Sequence, residues 1–322
     1  MCHIINFFTI FILKILASRF FLIILRADLQ MVNPPVECDI YMNPNILNII
    51  FVCVIAVLLS RLSFWRRKVA ESAFVSALSA HTPEKRDYYC RLAVLAGHKD
   101  ACKMFYFSNI SFFEDYQPLK PFKLHGIKMV FYGHYYPFRY NILLNSEQRK
   151  FCQSLYDFKN GDAHGIDFFK GCLSTLNLDN GKYHVMFMPC SNDIKYLQRF
   201  KRLNWYICAN RRNLTSGLYD IDIFEPRDSL HSSKGRDNRI LKKNYRITRD
   251  IMDKRIIIVD DVLTTGQSVK DFKAEIERQG GKVAAAVFYG KTVSKPRLTF
   301  VRFYVWGSYI SREFARLLTP SK

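Results

Sequence analysis

No Cys-x-x-Cys pair occurs in the chain, and its nine cysteines (positions 2, 38, 53, 90, 102, 152, 172, 190 and 208) follow no regular spacing. A structural zinc site built on paired thiolates is therefore not expected. An odd, irregular set also fits a reduced compartment better than a disulfide framework. Histidine offers no metal site either. His125 and His134 have no partner at metal-ligand spacing and read as ordinary surface or core residues. Acidic side chains are scarce, 28 Asp plus Glu against 48 Lys plus Arg, for a net charge of +20. That balance points to acidic partners: phosphate esters, nucleic acid or an anionic membrane surface. The 322 residues suffice for one or two domains with an ample core.

Charge is absent from residues 45 to 60, which are almost wholly apolar. About 17 to 20 such residues span a bilayer as a helix, so a transmembrane helix is predicted at about 45–61. Arg61, Arg66, Arg67 and Lys68 follow at once, which by the positive-inside rule leaves the C-terminal bulk in the cytoplasm. A cleaved signal peptide has its basic cluster on the other side of the apolar run. Residues 4–25 form a second apolar run, interrupted by Lys14 and Arg19. Two readings stay open here: a first span of a hairpin, or an over-long start with Met42 as initiator.

Residues 69–108 read as a helical connector. Alanines and large apolar residues recur at helical spacing in Ala70–Ala80 and in Tyr89–Tyr106, with Thr82-Pro83 breaking between them. The stretch from Tyr88 to Ala101 is similar to one hairpin of a TPR-like repeat, but a single copy cannot stack. Residues 103–145 are then rich in aromatics (Phe112, Phe113, Phe122, Phe131, Tyr132, Tyr135, Tyr136, Phe138) with Lys and Arg between them. Base stacking of single-stranded nucleic acid is one reading; core or membrane-surface packing is the commoner one.

The most informative stretch is 256–268, Ile-Ile-Ile-Val-Asp-Asp-Val-Leu-Thr-Thr-Gly-Gln-Ser. Ile256 to Val259 suit a strand buried on both faces of a parallel sheet. Asp260 and Asp261 stand at its carboxyl end, where ligands bind in open α/β sheets. Thr264 to Ser268 form a small-residue loop that opens a helix over about Ser268–Gln279. Such a loop presents free N–H groups and a positive partial charge to a phosphate. Gly266 lets the backbone come close, and the hydroxyls of Thr264, Thr265 and Ser268 can donate. Two carboxylates would repel the phosphate but suit the vicinal hydroxyls of a sugar. The stretch describes a ribose 5-phosphate.

These residues resemble the PRPP-binding motif of the type I phosphoribosyltransferases: four hydrophobic residues, two acids, two hydrophobic residues, Thr-Thr-Gly, and a small hydroxyl residue two places on. Ser268 stands where the family usually has Thr. From Asn145 onward the element order resembles the ComF-like competence branch. Leu155 to Asp162 is similar to its hydrophobic–Lys–Gly segment, before a helix at about His164–Leu176. His184 to Pro189 is similar to its next strand, with Cys190 to Asp193 behind it. Arg199 to Arg202 is similar to the basic start of the following helix.

What the resemblance implies is an α/β fold for residues 109–322, a Rossmann-like parallel sheet flanked by helices. Residues 1–68 form the membrane-anchor region and 69–108 the connector. It further implies transfer of phosphoribosyl from PRPP to an acceptor with release of pyrophosphate. In that scheme Asp260 and Asp261 are catalytic, and Thr264, Thr265, Gly266, Gln267 and Ser268 bind the 5′-phosphate. Ser191, Asn192 and Arg199 bind pyrophosphate, and Mg2+ is held mainly through PRPP. Lys234, Arg236, Arg239 and Lys242 lie in a stretch suited to a lid. From Lys195 to Arg255 sixteen Lys plus Arg face seven Asp plus Glu, as a departing pyrophosphate requires. Thr264 stands where 6-oxopurine members carry an acid, which disfavours that acceptor class. The ComF-like zinc module is missing, and membrane and helical segments stand in its place. The alternative function is a non-enzymatic factor in DNA uptake that binds single-stranded DNA.

Overall fold

In the computed structural model, the described residues are 44–209, 213–224 and 244–318, without the side chains of 44–47 and 313–318. The apolar run at 4–25 and the basic residues Lys234, Arg236, Arg239 and Lys242 lie outside them. The chain divides into two compact units, Met1–Leu62 and Ser63–Lys322.

The uncharged run at 45–60 and the alanine-rich stretch after it form one helix, α1 (Pro44–Ser79), because nothing between them breaks helical backbone. Among the described residues one helix, Asn48–Ser79, is long and apolar enough to cross a membrane. Thr82 stops the chain and caps α2 (Pro83–Ala96) by accepting from the Lys85 N–H, with Pro83 at the first helical position. The single helix expected over Tyr89–Tyr106 is broken in two. Gly97 closes α2 with φ of 97°, and His98 Nδ1 accepts from the Ala101 N–H to open α3 (Lys99–Ser108). A short turn, α4 (Ile110–Phe113), follows.

The remaining elements build the sheet. They are β1 (Phe122–Leu124), β2 (Ile127–Tyr135), α5 (Ser146–Asn160), α6 (Ile166–Thr175), β3 (Tyr183–Phe187), α7 (Asp193–Ala209), β4 (Leu214–Ser216), β5 (Ile221–Ile223), β6 (Tyr245–Ile247), β7 (Arg255–Leu263), α8 (Gln267–Arg278), β8 (Lys282–Thr292) and α9 (Leu298–Leu318). The sheet order is β1-β2-β8-β7-β3-β4, parallel throughout except for β1, and β5 and β6 form a separate antiparallel pair. This mixed α/β architecture fits the phosphoribosyltransferase fold. The Ile256–Val259 run is fully buried at the centre, between β3 and β8, as its β-branched composition requires.

Two hydrophobic clusters result. One lies on the sheet, from Ile127 to Tyr289. The other joins the Ala73 end of α1, α2 and α3 to Tyr136, Val293, Val301 and Val305, so the helical hairpin and the C-terminal helix share one core. The aromatic stretch at 103–145 mostly serves these clusters. Phe105, Phe107 and Phe131 are inaccessible, whereas Phe112 and Phe138 remain exposed. Of the eight rings named for base stacking, Phe131 and Tyr136 are buried and the other six are half-buried or exposed. His134 is a core residue, and burial pushes its imidazole down to about 4. Glu114 ties the helices to the sheet. It accepts from the Tyr106 hydroxyl at 2.8 Å and lies 3.7 Å from Lys291 Nζ of β8.

A phosphate-loop and carboxylate site at the end of β7

The strand expected at Ile256–Val259 runs on through both acids to Leu263, so the acid pair lies within its carboxyl half rather than just after it. β7 carries Asp260 and Asp261 near its carboxyl end, the chain turns through Thr264 to Gly266, and α8 begins at Gln267. Gly266 adopts φ of +80° and is buried, with Leu124 and His125 over its Cα. A Cβ there would come to 2.9 Å from Leu124 Cδ2. Having no side chain, Gly266 cannot cap α8, which leaves first-turn N–H groups other than that of Gln267 to a ligand. Thr264, Thr265, Gln267 and Ser268 are exposed around it. Part of their capacity is used locally: Thr265 Oγ1 accepts from the Gln267 N–H at 3.4 Å, and the Gln267 amide donates to Asp271. The Gly266→Ala protein is expected to lose about 1–2 kcal/mol through its left-handed backbone alone. Urea unfolding measures this, and an unchanged midpoint would show the turn relaxing at no cost.

The two carboxylates are not equivalent. Asp260 is half-buried, and its Oδ1 accepts from the Asp261 N–H at 2.7 Å. Asp261 is buried, accepts from the Val262 N–H at 2.7 Å, and points its Oδ2 at Arg199 Nη1 (3.0 Å) and Lys159 Nζ (3.6 Å). Burial works against ionisation of Asp261, but Arg199 and then Lys159 outweigh it and hold the group below the usual carboxylate range. Burial and then the charge on Asp261 push Asp260 well above that range. Side chains alternate along a strand, which sends the second acid toward α5 and α7 and leaves the first for a ligand.

The second loop of the sheet edge, residues 188–192, follows β3. Asn192 Oδ1 accepts from the Lys195 N–H, so α7 starts at Asp193 and not at Arg199 as its basic composition suggested. Arg199 consequently sits two turns inside the helix, buried, against Asp261. Ser191 and Asn192 are half-buried at the loop. Asn244 donates to the carbonyls of Cys190 and Ser191 at 3.2 and 3.4 Å, which fixes the loop's backbone. Burial pushes the Cys190 thiol up to about 12, so it stays protonated and is no nucleophile.

Two participants were missed by sequence reasoning. Lys159 was noticed only inside a resemblance, and it lies in the last turn of α5, ahead of Gly161, which ends the helix with φ of +86°. The expected segment before a helix is therefore the end of one. His125 sits in the two-residue turn between β1 and β2, where His125 and Gly126 both have positive φ. Its Nε2 lies 3.3 Å from the Thr265 carbonyl. A His-Gly turn signal was present, but nothing local told where the hairpin would land.

No group of three or more His, Cys, Asp or Glu suited to a metal occurs among the described residues. The donor set at the site, a half-buried carboxyl group beside an uncapped helix start, fits a hard cation that brings most of its oxygen ligands with the substrate. Residues 217–305 match the family model of the phosphoribosyl transferase domain. The match takes in β7, the loop and α8, and supports the type I phosphoribosyltransferase superfamily. It suggests phosphoribosyl transfer in general and a PRPP-type substrate, and such domains typically use Mg2+ with PRPP.

Proposed function

We propose that the protein binds PRPP at the end of β7 and transfers its phosphoribosyl group to an acceptor, releasing pyrophosphate. One observation carries the reading: an uncapped helix start with exposed hydroxyls stands directly behind an acid pair on a buried parallel strand. The 5′-phosphate sits on the N–H groups of Gly266 to Ser268 and on the hydroxyls of Thr264, Thr265 and Ser268. Asp260 accepts hydrogen bonds from the ribose hydroxyls. Asp261 keeps the pair's charge in place through Arg199 and Lys159. Pyrophosphate lies toward the backbone of Ser191 and Asn192, with the half-exposed Lys159 rather than the buried Arg199 as the cation that can turn to it. Mg2+, when bound with PRPP, neutralises the leaving group. A bond from the acceptor nucleophile to C1 of the ribose forms as the C1–O bond to pyrophosphate breaks, and the electron pair leaves with pyrophosphate. Positioning and charge neutralisation are sufficient work for the protein.

In this reading the chain is ComF-like, which the order of elements from Asn145 onward supports, with 109–322 as the transferase part and 69–108 as a helical connector. The span at about 45–61 of α1 anchors it, and Arg61, Arg66, Arg67 and Lys68 keep the transferase part on the cytoplasmic side. PRPP with Mg2+, titrated into the detergent-solubilised full chain, should raise the melting temperature. A ligand at 100 times its Kd contributes about 2.7 kcal/mol. A melting curve indifferent to PRPP, with or without Mg2+, removes the reading.

A further inference from the structure

Helix α9 is amphipathic in an unusual sense. Val301 and Val305 are buried against α2 and α3. On the opposite side Phe300, Phe303 and Trp306 are 58%, 66% and 56% exposed, and Tyr304 and Ile310 lie beside them. At 3.6 residues per turn these side chains share one face, and no charged residue falls within it. Cations stand at its start: Lys295 and Arg297 precede the helix, both exposed. From Lys291 to Lys322 there are seven Lys plus Arg and a single acid, Glu313.

The position of this face is fixed. Arg66 of α1 donates to the Ala96 carbonyl at 2.9 Å, and Arg302 of α9 donates to the neighbouring Gly97 carbonyl at 2.7 Å. Both helices are thereby held to the same turn of α2. Arg66, Leu95, Phe303 and Trp306 together line an open cavity of about 350 Å³. Beside Arg66 stand Phe64 and Trp65, 54% and 60% exposed, with Lys68 Nζ 4.8 Å from the Phe64 ring centroid. The face thus continues the aromatic and basic band of α1 that follows its apolar segment.

We infer that α9 lies on an anionic bilayer surface, with Phe300, Phe303 and Trp306 in the headgroup region and the flanking cations on lipid phosphates. Aromatic rings and cations on a helix that does not span are the chemistry of an interfacial helix. α9 cannot insert fully, because its other face is committed to the second hydrophobic cluster. The inference rests on the membrane reading of α1 for its setting, but it concerns a second, separate contact.

Trp306 tests it. Full-length proteins retaining a single tryptophan (Trp65, Trp205 or Trp306, the others changed to Phe) are reconstituted into phosphatidylcholine–phosphatidylglycerol vesicles whose acyl chains carry bromine near the carbonyl end. Trp306 emission is expected to fall by roughly half, as for an interfacial ring. Trp205, exposed on α7 away from this face, should keep its emission. Quenching of Trp65 without Trp306 overturns the inference and leaves the anchor standing. Quenching of Trp306 without Trp65 upholds α9 docking and removes the anchor. A blue-shifted but unquenched Trp306 means that a protein or a second copy covers the face, which also overturns it.

Discussion

Asp260→Asn is expected to leave stability within about 1 kcal/mol of the parent while PRPP-dependent pyrophosphate release falls by roughly 100-fold or more, which is about 2.7 kcal/mol of barrier. The two acids are unequal. Asp260 has its pKa raised by burial and by its neighbour's charge, so an amide of the same shape disturbs little when no ligand is bound. With PRPP present, Asn offers an N–H where a ribose hydroxyl needs an acceptor. The pairing is then lost in both ground and transition states. Asp261→Asn should differ in kind, lowering stability as well, because it removes the counter-charge of a buried guanidinium. Pyrophosphate release and urea unfolding, measured on the same samples, separate the two. Parental turnover in Asp260→Asn would mean that the sugar binds elsewhere.

Removal of Arg199 should give the largest loss of stability. Its guanidinium is buried, 3.0 Å from a buried carboxylate, and Lys159 at 3.6 Å is the other cation facing that oxygen among the described residues. Breaking a buried pair by deleting one partner typically costs about 3–5 kcal/mol, since the remaining charge has neither water nor counter-ion. Arg199→Met is expected in that range, softened by Lys159. The Arg199→Met, Asp261→Asn double variant should recover most of the loss, because no charge is left uncompensated. A double-mutant cycle in urea then shows a coupling of about 2 kcal/mol or more. Strictly additive losses would mean that the two groups do not sense each other, and that Asp261 is free to turn to the ligand.

Much of this site was legible in the chain because its parts are consecutive. A strand, its terminal acids, a glycine turn and a helix start need only local geometry, and 256–268 states all four. β3 was likewise visible as a run of apolar residues ending at Pro189. Boundaries set by single hydrogen bonds were less visible. Asn192 moves the start of α7 forward by most of two turns, and Gly97 divides what periodicity joined. Apolar spacing reports which face is buried but is blind to where the backbone turns.

Sequence by itself determined that two acids, a glycine turn and a helix start follow one another on one buried strand, since one short segment holds all of them. Which acid faces the ligand was decided only by the fold. α5 and α7 bring Lys159 and Arg199, about 60 to 100 positions distant, onto one side of β7, and strand alternation assigns Asp261 to that side. Charges so far apart along the chain become neighbours only through packing, and the Coulomb energy that separates two adjacent aspartates depends on that separation in space.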